Sequence, residues 1–380
     1  MEQLLTVRKI VSLTPLSGDG TYELRAGSTV GTVVRPSLRL LIRPKVGLVN
    51  VFFLLGFGPR LTRWGEAQFP YEEDPDLFKA VAWVFESEVR HALAQGLIRG
   101  YQARSETLTA LRGRIDLAGQ LRSRQGRPFP LECRFEEYTE DTELNRVVKA
   151  AHRRLLQIPH LDEWLARKLR HRYRAFDGVA SMEYSPGFVP EIVFTRLNRH
   201  WEVAGRLARL ILGRRGLRDR EGDVVGTAFT VDMNALFERF VEAIVREEVR
   251  RAGLRLVSQA PRRLTERIPI RPDLVLRAED RDLAVADAKY KELKPDEWPN
   301  ADLYQMLAYC ESLGLPSGLL IYASDHPYEE HLVKHAGVRL GIIGVDMNRS
   351  PRDLDASVRR AATRFVREAV TRRSRPTMAV

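Results

Sequence analysis

The spacing of hydrophobic and polar residues changes along the chain, and it first resembles that of strands. Up to about residue 70, short apolar runs such as Leu4–Ile10, Thr32–Val34 and Leu38–Ile42 are separated by glycine, proline and serine. This pattern predicts a β-rich first domain over residues 1–75. The apolar run Val49–Leu55 fits a buried strand or a buried helix equally well, because a continuous run has no period.

A helical period begins after Asp76. An apolar stripe runs from Leu77 to Leu93, directly behind the acidic start Asp74-Pro75-Asp76, and predicts a helix there. Capping residues at 139–142 predict a second helix over Leu144–Leu156. Two more helices are predicted over 161–175 and 198–213, whereas 98–136 is expected to be extended. Together these segments form a predicted middle domain, residues 76–220, which ends in the polar, glycine-containing segment 213–220.

Helices and strands alternate in the remainder of the chain. A helix is predicted over Asn234–Ala252, followed by strands over Arg267–Arg277 and Leu283–Lys289. A helix over Ala301–Leu313 and a strand over Gly318–Ala323 come next. This alternation predicts an α/β domain over residues 221–380, so the fold class of the whole chain is mixed α/β (α+β).

Composition narrows the class of protein. The 380 residues include 61 lysines and arginines against 50 acids, a net charge of +11, which favours a nucleic-acid partner unless the whole proteome is basic. The 44% hydrophobic content excludes a mainly disordered chain. No apolar run is long enough for a membrane span, and the start of the chain lacks the layout of a signal peptide. Two cysteines cannot build a disulfide framework or a structural zinc site, so we expect a cytoplasmic protein.

Two acids and a lysine form the sharpest motif, P-D followed 14 residues later by D-x-K. If the two strands pair antiparallel around Asp280, Asp273 faces Asp287, and Lys289 shares that side of the sheet. Facing carboxylates repel each other unless a cation lies between them, and Mg²⁺ or Mn²⁺ prefers such oxygen ligands. Lys289 could then orient or deprotonate a water, or stabilise the charge that develops in phosphoryl transfer. In the alternative interpretation, Lys289 only neutralises the two aspartates in a cross-strand salt bridge.

Polar residues on the flanking helices can converge on this motif. Glu238 lies on the preceding helix. Gln305 and Tyr309 lie four residues apart on the following helix and therefore share one face. Because Asp287 ends an apolar strand, it is not a routine surface acid. The order helix, strand, strand, helix thus supports a catalytic interpretation.

Six segments in this order resemble the PD-(D/E)xK nuclease superfamily, and most closely the McrC family, the nuclease subunits of McrBC modification-dependent restriction systems. The matching segments are Val49–Leu55, Leu111–Ile115, Glu140–Arg146, Leu236–Phe240, Asp287–Lys291 and Leu303–Met306. The resemblance implies a restriction-endonuclease-like C-terminal domain that cuts double-stranded DNA. It implies that Asp273 and Asp287 bind Mg²⁺ (or Mn²⁺), that the carbonyl of Ala288 completes the metal shell, and that Lys289 is the catalytic lysine.

The same resemblance implies supporting catalytic roles for Glu238 and Gln305. It also implies that the chain has a protein partner. McrC-like proteins dock on McrB, a hexameric AAA+ GTPase that recognises modified cytosine and translocates DNA, and they stimulate its GTP hydrolysis. Arg112 and Arg114 could enter that ring or merely edge a hairpin. No G-x-x-x-x-G-K-[ST] phosphate loop occurs in the sequence, so an NTPase activity would need another chain.

Two other functions stay open at this stage. The protein could be a stand-alone PD-(D/E)xK nuclease in repair or defence, or a non-catalytic adaptor whose nuclease fold only binds DNA. The Asp–Asp–Lys set disfavours the adaptor, because paired carboxylates repel phosphate. Arginines in 161–175 and in the C-terminal helix could contact a DNA backbone, although solvated helix faces look the same.

Overall fold

Most of the predicted elements are present in the structure, a computed structural model. It describes residues 11–16, 21–35, 38–57, 76–125, 127–157, 161–185, 187–213, 219–221, 224–293 and 298–373. The helices are α1 (Leu48–Phe52), α2 (Leu77–Leu93), α3 (Leu117–Arg124), α4 (Glu143–Leu156), α5 (Glu163–Tyr173), α6 (Glu202–Gly213), α7 (Met233–Arg251), α8 (Asn300–Leu313) and α9 (Pro351–Arg373). None of these described helices is long and apolar enough to cross a bilayer.

The strands are short, and most occur where the sequence alternates. They are β1 (Val11–Pro15), β2 (Tyr22–Ala26), β3 (Thr29–Arg35), β4 (Leu38–Ile42), β5 (Gly100–Leu108), β6 (Arg114–Ile115), β7 (Leu131–Thr139), β8 (Asp219–Glu221), β9 (Val224–Asp232), β10 (Arg255–Ser258), β11 (Arg262–Arg263), β12 (Pro269–Ile270), β13 (Leu274–Ala278), β14 (Arg281–Lys289), β15 (Ser317–Tyr322), β16 (Glu329–Val333) and β17 (Val338–Gly344). The predicted strand Leu4–Ile10 lies outside the described residues.

The chain groups into two compact units, each built from separate segments. The first unit contains residues 1–31, 41–75 and 231–380, and the second contains residues 32–40 and 76–230. The division into three consecutive domains, at residues 75 and 220, stays a prediction.

A six-stranded sheet of order β10-β13-β14-β15-β17-β16 forms the centre of the first unit. Strands β10, β13 and β14 are antiparallel, whereas β14, β15 and β17 run parallel. Helix α8 makes the crossover between β14 and β15 that a parallel pair requires. A methyl group at Gly318 would lie 2.4 Å from Met306 Sδ, so the glycine permits the close approach of α8 to β15. In open parallel sheets of this kind, ligand sites lie at the carboxyl ends of the strands.

One predicted strand is wrong. Residues 267–277 do not form one strand, because β12 pairs with β11 and β13 begins only at Leu274. Pro272 separates the two, since proline has no N–H to donate to a ladder. The break leaves Asp273 in a short connection directly before β13.

A helical core and a three-stranded sheet of order β5-β7-β6 form the second unit. Helix α2 begins where the sequence predicts, because Asp76 Oδ1 accepts hydrogen bonds from Phe78 N (3.0 Å) and Lys79 N (3.3 Å). Helix α3 corrects the prediction that 98–136 is extended throughout. Its N-cap is Asp116, whose Oδ1 accepts a hydrogen bond from Gly119 N at 3.1 Å.

The segment Glu140–Arg146, one of the family-like motifs, stabilises the start of α4. Asn145 is fully buried, and its Nδ2 donates to the carbonyls of Ile98 (2.8 Å) and Glu140 (2.7 Å). Asp141 pairs with Arg146 at 2.6 Å. The Asn145 amide nitrogen and the Asp141 carboxylate therefore have partners within this unit, which explains the motif as a structural feature.

His152 on α4 should make the stability of the second unit depend on pH. It is fully buried beside Phe85 and Phe176, and desolvation lowers its pKa to about 4. Below about pH 6.5, the imidazole of His152 binds a proton in the unfolded chain, whereas in the folded chain it stays neutral down to about pH 4. The free energy of unfolding therefore has its full value above pH 6.5 and decreases as the pH falls towards 4. The decrease due to His152 is up to about 3 kcal/mol. The His152→Phe variant should lose less stability over this range in urea unfolding. Replacing the exposed His171 by glutamine should leave the wild-type profile unchanged.

Candidate active site

The register of the β13–β14 hairpin brings the two predicted metal ligands together. Leu274 pairs with Ala286, so Asp273, one residue earlier, faces Asp287 as predicted. The hairpin reaches this pairing in a different way from the regular turn around Asp280 that the sequence predicts. Glu279 and Asp280 form a two-residue turn, and an irregularity between Leu276 and Arg277 shifts the register by one residue and restores this pairing.

Each aspartate has a different set of partners. Asp287 is 2% exposed, and its Oδ2 lies 2.6 Å from Lys289 Nζ, on the side of the strand that the alternation predicts. Asp273 is held by neutral donors instead. Its Oδ2 accepts a hydrogen bond from Ala288 N at 3.0 Å, and its Oδ1 accepts one from Gln259 Nε2 at 2.6 Å. The ion pair of Lys289 therefore involves Asp287 and leaves Asp273 without a cationic side-chain contact among the described residues.

Burial and mutual repulsion make this cluster electrostatically unusual. Desolvation, and then the neighbouring Asp273 carboxylate, raise the pKa of Asp287 to about 7. Desolvation also raises the pKa of Asp273, although the Ala288 N–H opposes the effect. Desolvation opposes the charge on Lys289, but the carboxylates of Asp287 and Asp273 outweigh it and raise the pKa of the ammonium group. The lysine is thus held in its charged form.

Glu238 on α7 lies within the electrostatic field of this cluster. Its pKa is raised by desolvation and then by the charge of Asp287. The helix begins at Asp232, which accepts hydrogen bonds from Asn234 N (2.9 Å) and from Ser28 Oγ (3.2 Å). Among the described residues, no ion pair joins Glu238 to Lys289, and no hydrogen bond joins it to either aspartate. The structure therefore brings Glu238 near the site without direct contact.

Gln305 and Tyr309 share one face of α8, as predicted, but Gln305 does not contact either aspartate in the described chain. Gln305 Nε2 donates to the Tyr309 hydroxyl at 2.8 Å, and this hydroxyl donates to the carbonyl of Arg271 at 3.3 Å. The pair therefore supports the connection that carries Asp273.

Three residues beside the site were missed by the sequence argument. Lys291 Nζ lies 2.8 and 2.9 Å from the two oxygens of the buried Asp302, which also accepts a hydrogen bond from Tyr322 OH at 2.9 Å. They line a cavity of about 1010 Å³ that also contains the exposed ring of Trp298. The spacing K-x-K, in which Lys291 follows two residues after Lys289, is the signal that could have identified Lys291. Asp302 gave no comparable signal, because only α8 brings it there.

Asn50, from another family-like segment, stabilises a wall of the same cavity. It is buried, and its Nδ2 donates to the carbonyls of Met347 (2.7 Å) and Arg349 (2.9 Å). Met347 and Asn348 line the cavity. The run Val49–Leu55, which periodicity could not assign, is helical, with α1 followed by a π-helical turn.

The residues predicted to bind a partner belong to the second unit. Arg112 stacks on Phe135, with its guanidinium carbon 4.0 Å from the ring centroid, whereas Arg114 is exposed on β6. Between them, Gly113 has a φ of 70°, and a methyl group there would lie 2.3 Å from the Arg134 carbonyl oxygen. Arg112 therefore packs on Phe135 while its side chain stays 54% exposed, and both arginines are accessible at the surface.

Three of the predicted DNA-contacting arginines on α9 have partners within the chain. Arg359 pairs with Asp355 at 2.7 Å, and Arg364 lies 3.5 Å over the ring of Tyr328. Arg372 donates to the carbonyl of Leu283. A role of this helix along a DNA backbone stays a prediction.

The residues present fit a magnesium-like cation rather than a metal held entirely by side chains. Within the described part of the chain, no three histidine, cysteine or acidic side chains are grouped as metal ligands. Two facing carboxylates and the Ala288 carbonyl suit Mg²⁺, which typically binds one or two carboxylates together with waters and substrate phosphates. Asp287 Oδ2 is buried and lies 2.6 Å from Lys289 Nζ, so one ammonium group faces two carboxylates and the cluster keeps a negative charge that a cation could offset.

Comparisons with known proteins show the family to which the chain belongs. A family model described as "McrBC 5-methylcytosine restriction system component" matches residues 24–323. The type IV methyl-directed restriction enzyme EcoKMcrBC of Escherichia coli K12 is 20% identical, over 80% of this chain and 94% of that protein. In an assembly of Thermococcus gammatolerans McrB AAA+ hexamers with bound McrC, one solved chain matches with a TM-score of 0.62 at 20% identity, over 93% of this chain and 85% of that one. This structural likeness shows a shared fold. Because the family model spans most of the sequence, the protein belongs to the family of McrBC 5-methylcytosine restriction system components.

Proposed function

We propose that the protein is the nuclease subunit of a McrBC-type restriction system and hydrolyses phosphodiester bonds of double-stranded DNA with Mg²⁺ or Mn²⁺. One observation carries the proposal: Asp287, which is 2% exposed, faces Asp273 across a hairpin and lies 2.6 Å from Lys289. Burying two adjacent carboxylates costs stability unless a cation binds there. Such a cost is expected at a functional site and not in an ordinary core.

In the proposed mechanism, the side chains of Asp273 and Asp287 and the carbonyl of Ala288 hold the cation. The bound cation supplies a nucleophilic water and polarises the phosphate. Lys289 stabilises negative charge on the phosphate oxygens, because the two carboxylates keep it protonated and therefore unsuited to act as a base. Glu238 adds to the negative potential that attracts the cation.

The cavity beside this centre is the proposed place for the DNA strand that flanks the scissile phosphate. Its volume of about 1010 Å³ is larger than that of a pocket that holds one small ligand such as a nucleotide. Lys291 is fixed by Asp302, yet its side chain is 58% exposed, so its ammonium group can meet a backbone phosphate. The Trp298 ring, 55% exposed, offers a surface for a base.

The second unit is the proposed docking site for a McrB-like AAA+ GTPase ring. Large apolar side chains are exposed on and between β5 and β7, and we call this group the apolar face: Tyr101, Leu117, Leu121, Phe129 and Tyr138, which are 58–72% exposed. Exposed apolar groups of this size are typical of protein interaction sites. Arg114 lies in the same part of the chain. The similar McrC of Thermococcus gammatolerans is bound to McrB hexamers, which supports a McrB-like partner for this chain.

Plasmid cleavage tests the proposal. The chain, its McrB-type partner, GTP and Mg²⁺ are incubated with DNA that contains 5-methylcytosine, and Lys289→Met is compared with wild type. We expect wild-type cleavage and a rate about 10²–10³-fold lower in the variant, the effect of losing one transition-state charge contact. Lys334→Met, which removes an exposed lysine of the same unit, is the matched control and should cut normally.

Other outcomes would identify the alternatives. Cleavage that needs Mg²⁺ and Lys289 but neither partner nor GTP would favour a stand-alone nuclease. If DNA binds and no condition gives cleavage, the non-catalytic adaptor would replace the nuclease interpretation.

A further inference from the structure

Gln259, directly after β10, has a backbone conformation that L-residues rarely adopt. Its φ is 49°, in the left-handed region. Two other described non-glycine residues have positive φ, and each has a local explanation. Glu279 lies in a two-residue hairpin turn, and Gln125 ends helix α3, both positions where left-handed residues are common. Gln259 follows a strand and lies neither in a hairpin turn nor at a helix end, so its strained backbone requires another explanation.

The conformation allows one residue to hold both the main chain and the carboxylate of Asp273. Gln259 N donates to the Asp273 carbonyl at 2.9 Å, and Gln259 Nε2 donates to Asp273 Oδ1 at 2.6 Å. The other carboxylate oxygen accepts a hydrogen bond from Ala288 N at 3.0 Å. Both oxygens are therefore fixed, and with them the orientation of the carboxylate.

A purely structural role explains only part of this arrangement. The bond from Gln259 N continues the β10–β13 ladder, whose last pair is Ser258 with Leu274. Glycine would make this bond without strain. The glutamine side chain is exposed, so burial of its own surface does not account for it. What a glutamine adds at this position is a neutral donor long enough to reach Asp273.

We propose that Gln259 is a positioning residue that fixes the Asp273 carboxylate for binding of a divalent cation. The inference rests on the proposed function, because it takes Asp273 as a metal ligand. A neutral amide suits this role better than an arginine or a lysine, since a cationic side chain would compete with the metal for the carboxylate. Hydrogen bonds to metal-binding carboxylates usually affect metal affinity strongly.

Direct binding of Mn²⁺ tests the inference without depending on cleavage. The full-length protein is titrated with Mn²⁺ alone, and free Mn²⁺ is followed by electron paramagnetic resonance. In Gln259→Gly the backbone N–H remains and the strain is removed, but the side-chain donor is lost. We expect a Kd for Mn²⁺ about 10–100-fold higher than in wild type, with an unfolding midpoint equal to or higher than that of wild type. Gln259→Asn tolerates the same backbone but is shorter by one methylene, so it should also bind Mn²⁺ more weakly.

Gln125→Gly is the matched control, because Gln125 is also an exposed glutamine with a left-handed backbone. It should gain stability in the same way and bind Mn²⁺ like wild type. In cleavage assays, Gln259→Gly should need a higher Mg²⁺ concentration for half-maximal rate and recover most of its rate at saturating Mg²⁺. A general structural defect would not be rescued in this manner.

The outcomes separate the inference from the proposed function. If Gln259→Gly binds Mn²⁺ as tightly as wild type, or if it unfolds at a lower temperature, the positioning role is wrong. If the wild type itself binds no Mn²⁺, or Asp287→Asn binds it as well as wild type, the proposed metal centre fails and the inference fails with it.

Discussion

Asp287→Asn should abolish DNA cleavage and yet stabilise the protein when divalent cations are removed. The folded chain keeps a proton on Asp287 up to a pKa of about 7, whereas an unfolded aspartate releases it near pH 4. The protonated Asp287 side chain therefore contributes its full stabilisation below pH 4. This contribution to the free energy of unfolding decreases as the pH rises to about 7, and above pH 7 it does not change further. The neutral asparagine avoids this loss, so the variant should be more stable than wild type by about 1–3 kcal/mol at pH 8.

Two measurements check this prediction. Urea unfolding in a chelator at pH 8 should show the stabilisation, and it should shrink as the pH is lowered towards 4. Plasmid cleavage with Mg²⁺, partner and GTP should fall by at least about 10³-fold, because several kcal/mol of metal-dependent stabilisation are lost. Asp280→Asn, in the exposed turn of the same hairpin, is the control and should change neither quantity. Wild-type cleavage by Asp287→Asn would disprove the assignment of the metal centre.

Leu117→Asp combined with Leu121→Asp should prevent the protein from joining its AAA+ partner. These two residues of the apolar face are 71% and 66% exposed, so the substitutions should leave folding intact. In a complex they would bury two carboxylates in an apolar contact, and burying an unpaired charge costs several kcal/mol. We expect the Kd for the partner ring to rise at least about 100-fold. Isothermal titration calorimetry with the partner, in the presence of a non-hydrolysable GTP analogue, measures this Kd directly.

An equally exposed leucine outside the apolar face is the control for this experiment. Leu197 is 86% exposed in the same unit, and Leu197→Asp should bind the partner like wild type. The double variant should still bind Mn²⁺, because the proposed metal ligands Asp273 and Asp287 belong to the other unit. Normal assembly of the double variant would show that the ring docks elsewhere.

Local chemistry explains which parts of the fold could be predicted. The starts of α2 and α4 follow from Asp76 and Thr142, since a capping side chain acts within three residues of itself. The pairing of Asp273 with Asp287 was predicted from a hairpin of neighbouring strands, but it holds only because the irregularity between Leu276 and Arg277 offsets the shifted turn. Helix α3 and the break at Pro272 were missed, because short elements have too few residues to show a period.

The sequence by itself determined the family, the mixed α/β fold class and the Asp–Asp–Lys motif, because each is expressed in local spacing and in residue type. Only the tertiary structure decided which other side chains surround that motif. Gln259 reaches Asp273 across the β10–β13 ladder, and Asp302 holds Lys291 from α8. The tertiary structure also showed that Gln305 donates to Tyr309, whose hydroxyl donates to the Arg271 carbonyl. These contacts join residues from different elements, and their geometry depends on how strands and helices pack, which no local pattern of one sequence encodes.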